Sequence, residues 1–445
     1  MTHMLLHARI GSWWCCLVVM FTASLHAAEP SASAERVAAP RSADAERIYD
    51  ESRPRLLQIR TLTRATGSQF SIGSGFMVAA DLAVTNFHVV SEWITSSSRH
   101  QLEWVSTDKQ RGPLAVLAID LAHDLAVVRL EGRPPEHEPY RLAAQEPRRG
   151  ERVFALGRPL DLGFNIVEGT HNGLVEGDFR EQYHFSGAIN AGMSGGPAVN
   201  QAGDVFGINV ARNLRGDLIS YLVPARFARA LLANLPSKPP TAEALRQSMN
   251  QQLSERQQGL MAKLFAQPLP TRRLGRFSVN GEIPTLLKCW SRAQGSKPNR
   301  AFGRDSLSCE VDASLFLGND LTAGDVSIEH VRVRSNAFSG LRFTALASAQ
   351  HTLPNDRLSR GQAGFERCDD QFVTLGQGSW RVSRCLRALR KFDDMYQLRL
   401  AALSLDTRPD AATGEREALS ARMLIDAASF ADISRATQRF LETLR

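Results

Sequence analysis

The sequence predicts a mainly β chain made of two unlike modules, on three observations. Between residues 45 and 234, the short β-type runs SIGSGFMVA, LAVTNFHVV, LAVVRL, RVFALG, DVFGINV and ISYLVPA are separated by glycine and polar turns. That spacing favours an all-β barrel or sandwich over alternating β–α units. At 235–241 the stretch LPSKPPT breaks the pattern with prolines and small polar residues. Beyond it, strand and helix patterns mix, and cysteines reappear, as in an α+β module stapled by disulfides. At 445 residues the chain also exceeds the roughly 250 residues at which single cores stop growing.

The N-terminal elements bear on location. His7 and Arg9 precede the apolar run CCLVVMFTASL, and LHAAEP follows, which reads as a secretory signal over 1–28 cleaved after Ala27 or Ala28. An uncleaved anchor is the alternative, although the run is shorter than the ~20 residues a bilayer span needs. Residues 29–44, small, polar and proline-punctuated, have the composition of a disordered leader. These features place the chain outside the cytoplasm, periplasmic or secreted, with no stable membrane insertion once the signal is removed.

From about Ala45 a short helix, AERIYDES, leads into a first strand, RLLQIRTL, and the β-rich module follows to residue 234. The next segment, 235–269, carries Leu245, Met249, Leu253, Leu260 and Leu264 at mostly helical spacing, which predicts an amphipathic helix that packs on a neighbouring module. In 270–445 the runs VSIEHVRVR, GLRFTAL and YQLRLAALSL read as strands and CLRALRKF as a helix. A terminal helix presents Phe430, Ile433, Phe440, Leu441 and Leu444. Cys289, Cys309, Cys368 and Cys385 read as two disulfides, with Cys289–Cys309 and Cys368–Cys385 favoured by proximity. A zinc site is the competing reading, without C-x-x-C or H-x-x-x-H spacing to support it, so no metal or cofactor is expected. The formal charge of +7 is spread along the chain with acidic residues interleaved. Nucleic acid, which needs clustered charge, is therefore not an expected partner. A protein or cell-wall partner for the C-terminal module stays open.

The chemistry starts from NAGMSGGPAV, residues 190–199. Ser194 alone is a loop residue as readily as a nucleophile, because a serine hydroxyl attacks poorly without a base and the base needs an orienting group. His88, in VTNFHVV at the end of an apolar strand, is the candidate base; taken alone it reads equally as a satisfied core histidine. In IDLAHDLAVVRL the candidate carboxylate is Asp124, which abuts an apolar strand where a carboxylate is costly unless bonded. Asp120 reads as a turn residue and His123 as surface.

Taken in order, GSGFMV (73–78), VTNFHVV (84–90), the element at 120–126, ALGRPLDLG (155–163), GAINAGMSGGPAVN (187–200), GDVFGINV (203–210) and YLVPA (221–225) resemble the trypsin/chymotrypsin-like serine peptidases, specifically the HtrA (DegP) branch. The resemblance implies a double six-stranded β-barrel with the active site between barrels, acting as an exported serine endopeptidase on polypeptide substrates. It casts His88 as general base, Asp124 as its orienting carboxylate and Ser194 as nucleophile, with the N–H groups of Gly192 and Ser194 as oxyanion hole. Gly195 and Gly196 would clear space beneath the nucleophile. Ala188 would form the base and Ile189, Ile208 and Val210 the walls of the specificity pocket, favouring small or medium aliphatic side chains. Met193 stands where the motif usually has asparagine or aspartate, which implies altered leaving-side contacts with activity kept. After Leu235 no PDZ-type carboxylate-binding loop is recognised, so peptide sensing and trimer assembly are not carried over. The alternative function is a protease-fold binding protein that recruits partners through its C-terminal module.

Overall fold

The computed structural model describes residues 42–159, 162–175, 181–212, 218–294, 301–311, 315–318, 321–355, 358–359 and 361–445. The expected signal and nearly all of the expected leader lie outside them. Ser42 caps the first helix, α1 (Ala43–Ser52), by accepting from the Ala45 N–H, so helix replaces leader two residues before the expected boundary.

The β-rich module is two closed six-stranded barrels. The first holds β1 (Leu56–Thr63), β2 (Gln69–Met77), β3 (Leu82–Thr85), β4 (His100–Ser106), β5 (Arg111–Asp120) and β6 (Leu125–Leu130) in the order β1-β2-β3-β6-β5-β4, with α2 (Phe87–Thr95) between β3 and β4. The second holds β7 (Arg152–Gly157), β8 (Asn165–Leu174), β9 (Tyr183–Ser186), β10 (Pro197–Val199), β11 (Val205–Arg212) and β12 (Ser220–Pro224) in the order β10-β11-β12-β9-β8-β7. Closure pairs every strand on both sides and so leaves no sheet edge to aggregate. Between the barrels lies a shared apolar cluster of Leu56, Phe76, Val84, Leu125, Phe154, Leu156, Val199 and Ile208.

After α3 (Ala225–Leu232) comes α4 (Ala242–Phe265), a helix as expected and capped by the Thr241 side chain, although over its whole length polar and apolar residues are not segregated to opposite faces. Its first half buries Leu245, Met249 and Leu253 against α2 and the first barrel, while its second half buries Leu260, Met261, Leu264 and Phe265 against the C-terminal sheet. Each such side chain contributes about 1.5–3 kcal/mol on burial, so α4 joins the two modules. Among the described residues no helix is long and apolar enough to cross a membrane.

The C-terminal module has a small hairpin, β13 (Thr271–Leu274) and β14 (Phe277–Asn280), and a seven-stranded antiparallel sheet. Along the chain follow β15 (Lys288–Gln294), β16 (Gly303–Val311), β17 (Leu315–Gly318), β18 (Leu321–Ala323), β19 (Val326–Ser335), α5 (Gly340–Ser348), β20 (Arg367–Leu375), β21 (Gly378–Ala388), β22 (Tyr396–Ser404), β23 (Arg416–Ala428) and α6 (Phe430–Leu441). The sheet order is β15-β16-β19-β23-β22-β21-β20, with β17 and β18 as a separate pair. Disulfides Cys289–Cys309 and Cys368–Cys385 join directly opposed residues and tie each edge strand to its neighbour.

Two expected elements of this module exchange type. GLRFTAL, expected as a strand, is helix α5, because Ser339 caps it and Phe343 and Ala347, four residues apart, fill the face formed by Val331, Val333 and Ala418. CLRALRKF, expected as a helix, enters strand β21, which is paired on both sides and locked in register by the Cys385 bridge. Tertiary pairing overrides local preference there. In α6, Ile433 and Phe440 are buried as expected, whereas Phe430 is exposed at the first turn.

Candidate active site

His88 lies in helix and not at a strand end, because β3 stops at Thr85 and α2 starts at Phe87, with Asn86 at its N-cap position making no side-chain capping bond and His88 as its second residue. This places the histidine where the N-terminal N–H groups of a helix are otherwise unpaired. Asp124 fills that position. Its Oδ1 accepts from the His88 backbone N–H at 2.9 Å, and its Oδ2 meets His88 Nδ1 at 2.6 Å. A carboxylate can only accept, so the ring proton sits on Nδ1 and Nε2 carries the lone pair. The Asp124 carbonyl in turn accepts from Phe87 N at 3.1 Å and from Asn86 Nδ2 at 2.7 Å. Asp124 achieves this from a turn and not from the strand, with φ of +54° and only 7 % of its surface exposed. Burial pulls the His88 pKa down, and the charge and hydrogen bond of Asp124 more than offset it, leaving the imidazole above its ordinary 6.5.

Asp120 and His123 form a second pair in the same turn. Asp120 accepts from His123 N at 3.1 Å and from His123 Nδ1 at 2.7 Å, and the ring stacks on Phe227 of α3 at 3.5 Å. His123 is thus half-buried and bonded, in contrast to the surface residue the sequence suggested.

Ser194 sits in the turn between β9 and β10, held mainly by backbone. Its carbonyl accepts from Ser74 N at 2.7 Å, and its hydroxyl donates to the Val210 carbonyl at 3.4 Å. The Met193 carbonyl faces inward, taking Gly196 N at 3.0 Å and Asn209 Nδ2 at 3.4 Å. Carbonyl and N–H of a trans peptide point in opposite directions, so this bond fixes the Ser194 N–H outward. The Gly192 carbonyl is likewise held, by the Ser74 hydroxyl at 2.7 Å. Gly192 adopts φ of +92°, which glycine alone takes without strain. Gly196 permits a close pass, since a Cβ there would lie under 3.0 Å from the Leu156 carbonyl.

Two residues central to this turn were missed in the sequence. Ser74 is fully buried and bonds through N–H, hydroxyl and carbonyl, the last accepting from Thr85 Oγ1 at 2.7 Å. Asn209, also fully buried, bonds Leu156 O at 2.8 Å as well as Met193 O. The available signal was polarity out of place, an amide inside VFGINVAR and a hydroxyl inside GSGF, each costly to bury without partners.

Met193 corrects an expectation. Its side chain is fully buried in the second barrel with Val153, Ala155, Phe185, Ile189 and Phe206, so it anchors the turn from below and makes no leaving-side contact. Met193→Ala is expected to cost about 2–5 kcal/mol, read as a lowered urea midpoint. Of the four residues expected around a specificity pocket, Ala188 is exposed. Ile189 packs in the core of the second barrel, and Ile208 and Val210 in the cluster shared by the two barrels, at 3 %, 0 % and 5 % exposure, so none of the three is an exposed pocket wall.

Two closed barrels, with a carboxylate-bound histidine from the first and a backbone-pinned serine turn from the second, define a trypsin-like peptidase domain. Residues 73–208 match the trypsin-like peptidase domain family. Within that class the domain is similar in sequence to proteases of the HtrA type. It is 32% identical over 165 residues to the putative protease Do-like 14 of Arabidopsis thaliana, covering 35% of this chain and 38% of that protein. It is 34% identical over 174 residues to human serine protease HTRA4, covering 36% and 34%. Both matches therefore span under two-fifths of the relative's own length. Among solved structures, the Rv3671c protease from M. tuberculosis in its active form aligns with a TM-score of 0.40 at 21% identity, over 47% of this chain and 93% of that one.

Proposed function

We propose that this chain is an exported serine endopeptidase in which Ser194, His88 and Asp124 act as a triad. The observation that carries the reading is the two-point grip of Asp124 on the backbone and ring of His88, which orients the imidazole and stabilises its protonated form. Ser194 rotates its hydroxyl from the Val210 carbonyl to His88 Nε2 and attacks the scissile carbonyl as Nε2 takes the proton. The oxyanion binds the N–H groups of Ser194 and Gly192, and the imidazolium returns the proton to the leaving amine. Water repeats the sequence on the acyl-enzyme. The exposed Ala188, at the position the resemblance assigns to the base of the specificity pocket, supports a small or medium aliphatic side chain before the cleaved bond. Export is supported by the N-terminal apolar run and by two disulfides, which persist in oxidising compartments.

Fluorophosphonate labelling tests the chemistry. The mature protein is expected to label covalently, and Ser194→Ala and His88→Ala to lose the label. A wild-type chain that stays unlabelled and leaves unfolded casein intact would return the fold to a binding role.

A further inference from the structure

The helix joining the two modules reaches the turn that carries Asp124. In Gln252, on α4, Oε1 accepts from the Leu121 N–H at 2.8 Å, while Nε2 donates to the Ile119 carbonyl at 3.1 Å and to Ser248 Oγ at 3.1 Å. The amide thus reads the end of β5 as a neighbouring strand would, offering one acceptor and one donor to adjacent backbone groups. Leu121 passes the contact on, since its carbonyl accepts from the Asp124 N–H at 3.3 Å. The Leu121 side chain, 1 % exposed, lies in the apolar cluster that includes Met249 and Leu253 of α4. A continuous chain of bonds therefore runs from Gln252 through Leu121 and Asp124 to both the backbone and the ring of His88.

The other end of α4 is equally fixed. Gln257, fully buried one and a half turns further on, donates to the Asp426 carbonyl at 3.1 Å and the Ala427 carbonyl at 2.6 Å, where β23 ends. The histidine side is held from the same module, because Lys391 reaches Glu92 Oε2 and Thr95 Oγ1 on α2, each at 3.3 Å. Both halves of the His–Asp pair are thus braced by residues beyond 240, outside the double barrel.

We propose that Gln252 is a positioning residue for Asp124, through which the C-terminal module sets the geometry of the His88–Asp124 pair. This rests on the peptidase reading for its effect on turnover, though not for its effect on the histidine itself. Gln252 touches no reacting atom. Its influence is on where the Asp124 carboxylate stands, and misplacement of a catalytic group by about 1 Å can cost on the order of 100-fold in rate.

The test compares Gln252→Met, which keeps length and packing but removes all three side-chain hydrogen bonds, with Gln252→Glu, which keeps the acceptor for Leu121 and removes the donor. Two readouts are taken on the full chain: turnover of an unfolded polypeptide, and titration of His88 by NMR with isotope-labelled histidine. The Met variant is expected to lose on the order of 10- to 100-fold in kcat with KM little changed, and its His88 to titrate at lower pH as Asp124 loosens. The Glu variant is expected to keep the wild-type titration, and Gln258→Ala, exposed on the same helix, to leave both readouts unchanged. A Met variant matching wild type in both readouts, or a Glu variant whose His88 shifts as far as the Met variant's, would overturn the proposal. Should wild type itself turn nothing over, the peptidase reading fails while the His88 titration still decides the coupling.

Discussion

Replacing Asp124 with asparagine is expected to lower kcat by about 10⁴-fold and to move the acid limb of the pH–rate profile downward. An amide can donate where the carboxylate could only accept, so the variant favours the ring tautomer with its proton on Nε2, which cannot take a proton from Ser194. The pH shift follows from the two opposed influences on His88. Burial lowers its pKa, and Asp124 raises it by charge and hydrogen bond to leave it above 6.5. In the proposed mechanism the working base is the neutral imidazole, so wild-type activity is expected to be lost as pH falls through that raised pKa. Without the carboxylate only burial remains, and residual activity persists to pH values below 6.5. Stability follows the same linkage with its own sign. The raised His88 pKa contributes stability that is fully present below about 6.5 and is lost as pH rises through the folded-state pKa. In the Asn variant this contribution disappears. A kcat–pH profile of both proteins, with denaturation curves across pH 5 to 9, checks each part. An unchanged acid limb would show that another group governs it.

The second large effect is at Gly195. Its φ is +84°, and a Cβ there would stand under 3.0 Å from the Ser74 carbonyl, Thr85 Oγ1 and Asn86 N. None of these can swing aside. Two are backbone atoms, and the threonine hydroxyl is itself bonded to the Ser74 carbonyl. Gly195→Ala is therefore expected to cost about 2–6 kcal/mol from left-handed strain and overpacking together, and to abolish labelling of Ser194. Gly259 on α4 is the internal contrast, since nothing lies within 4 Å of its Cβ position. Gly259→Ala is expected to gain about 1 kcal/mol from helix propensity. Urea midpoints of the two variants, measured side by side, decide the matter; equal stability would mean that the serine turn relaxes around a methyl group.

The barrels were legible because their strands announce themselves locally. Alternating apolar residues at glycine-bounded intervals define LAVVRL or RVFALG wherever they occur. Elements whose type depends on partners were not. GLRFTAL and CLRALRKF carry patterns compatible with either state, and a serine cap in one case and two flanking strands in the other chose between them. The candidate site divides in the same way. His88, Asp124 and Ser194 could be read from residue type and order. The supporting residues Ser74, Asn209 and Gln252 could not be assigned to the site, because each acts through hydrogen bonds to groups that only the fold brings near.

From the sequence alone came the reactive residue types, the glycines that must turn sharply or let another chain pass, the cysteine pairs and the helix that joins the modules. Each is a property of a short window, governed by backbone conformation or by the periodicity of apolar side chains. Only the tertiary structure decided that Asp124 grips His88 at two points, that Met193 points into the second barrel, and that residues beyond 240 brace both halves of the pair. The physical reason is that hydrogen bonds act over about 3 Å, and which groups come that close depends on how barrels, helix and sheet pack together.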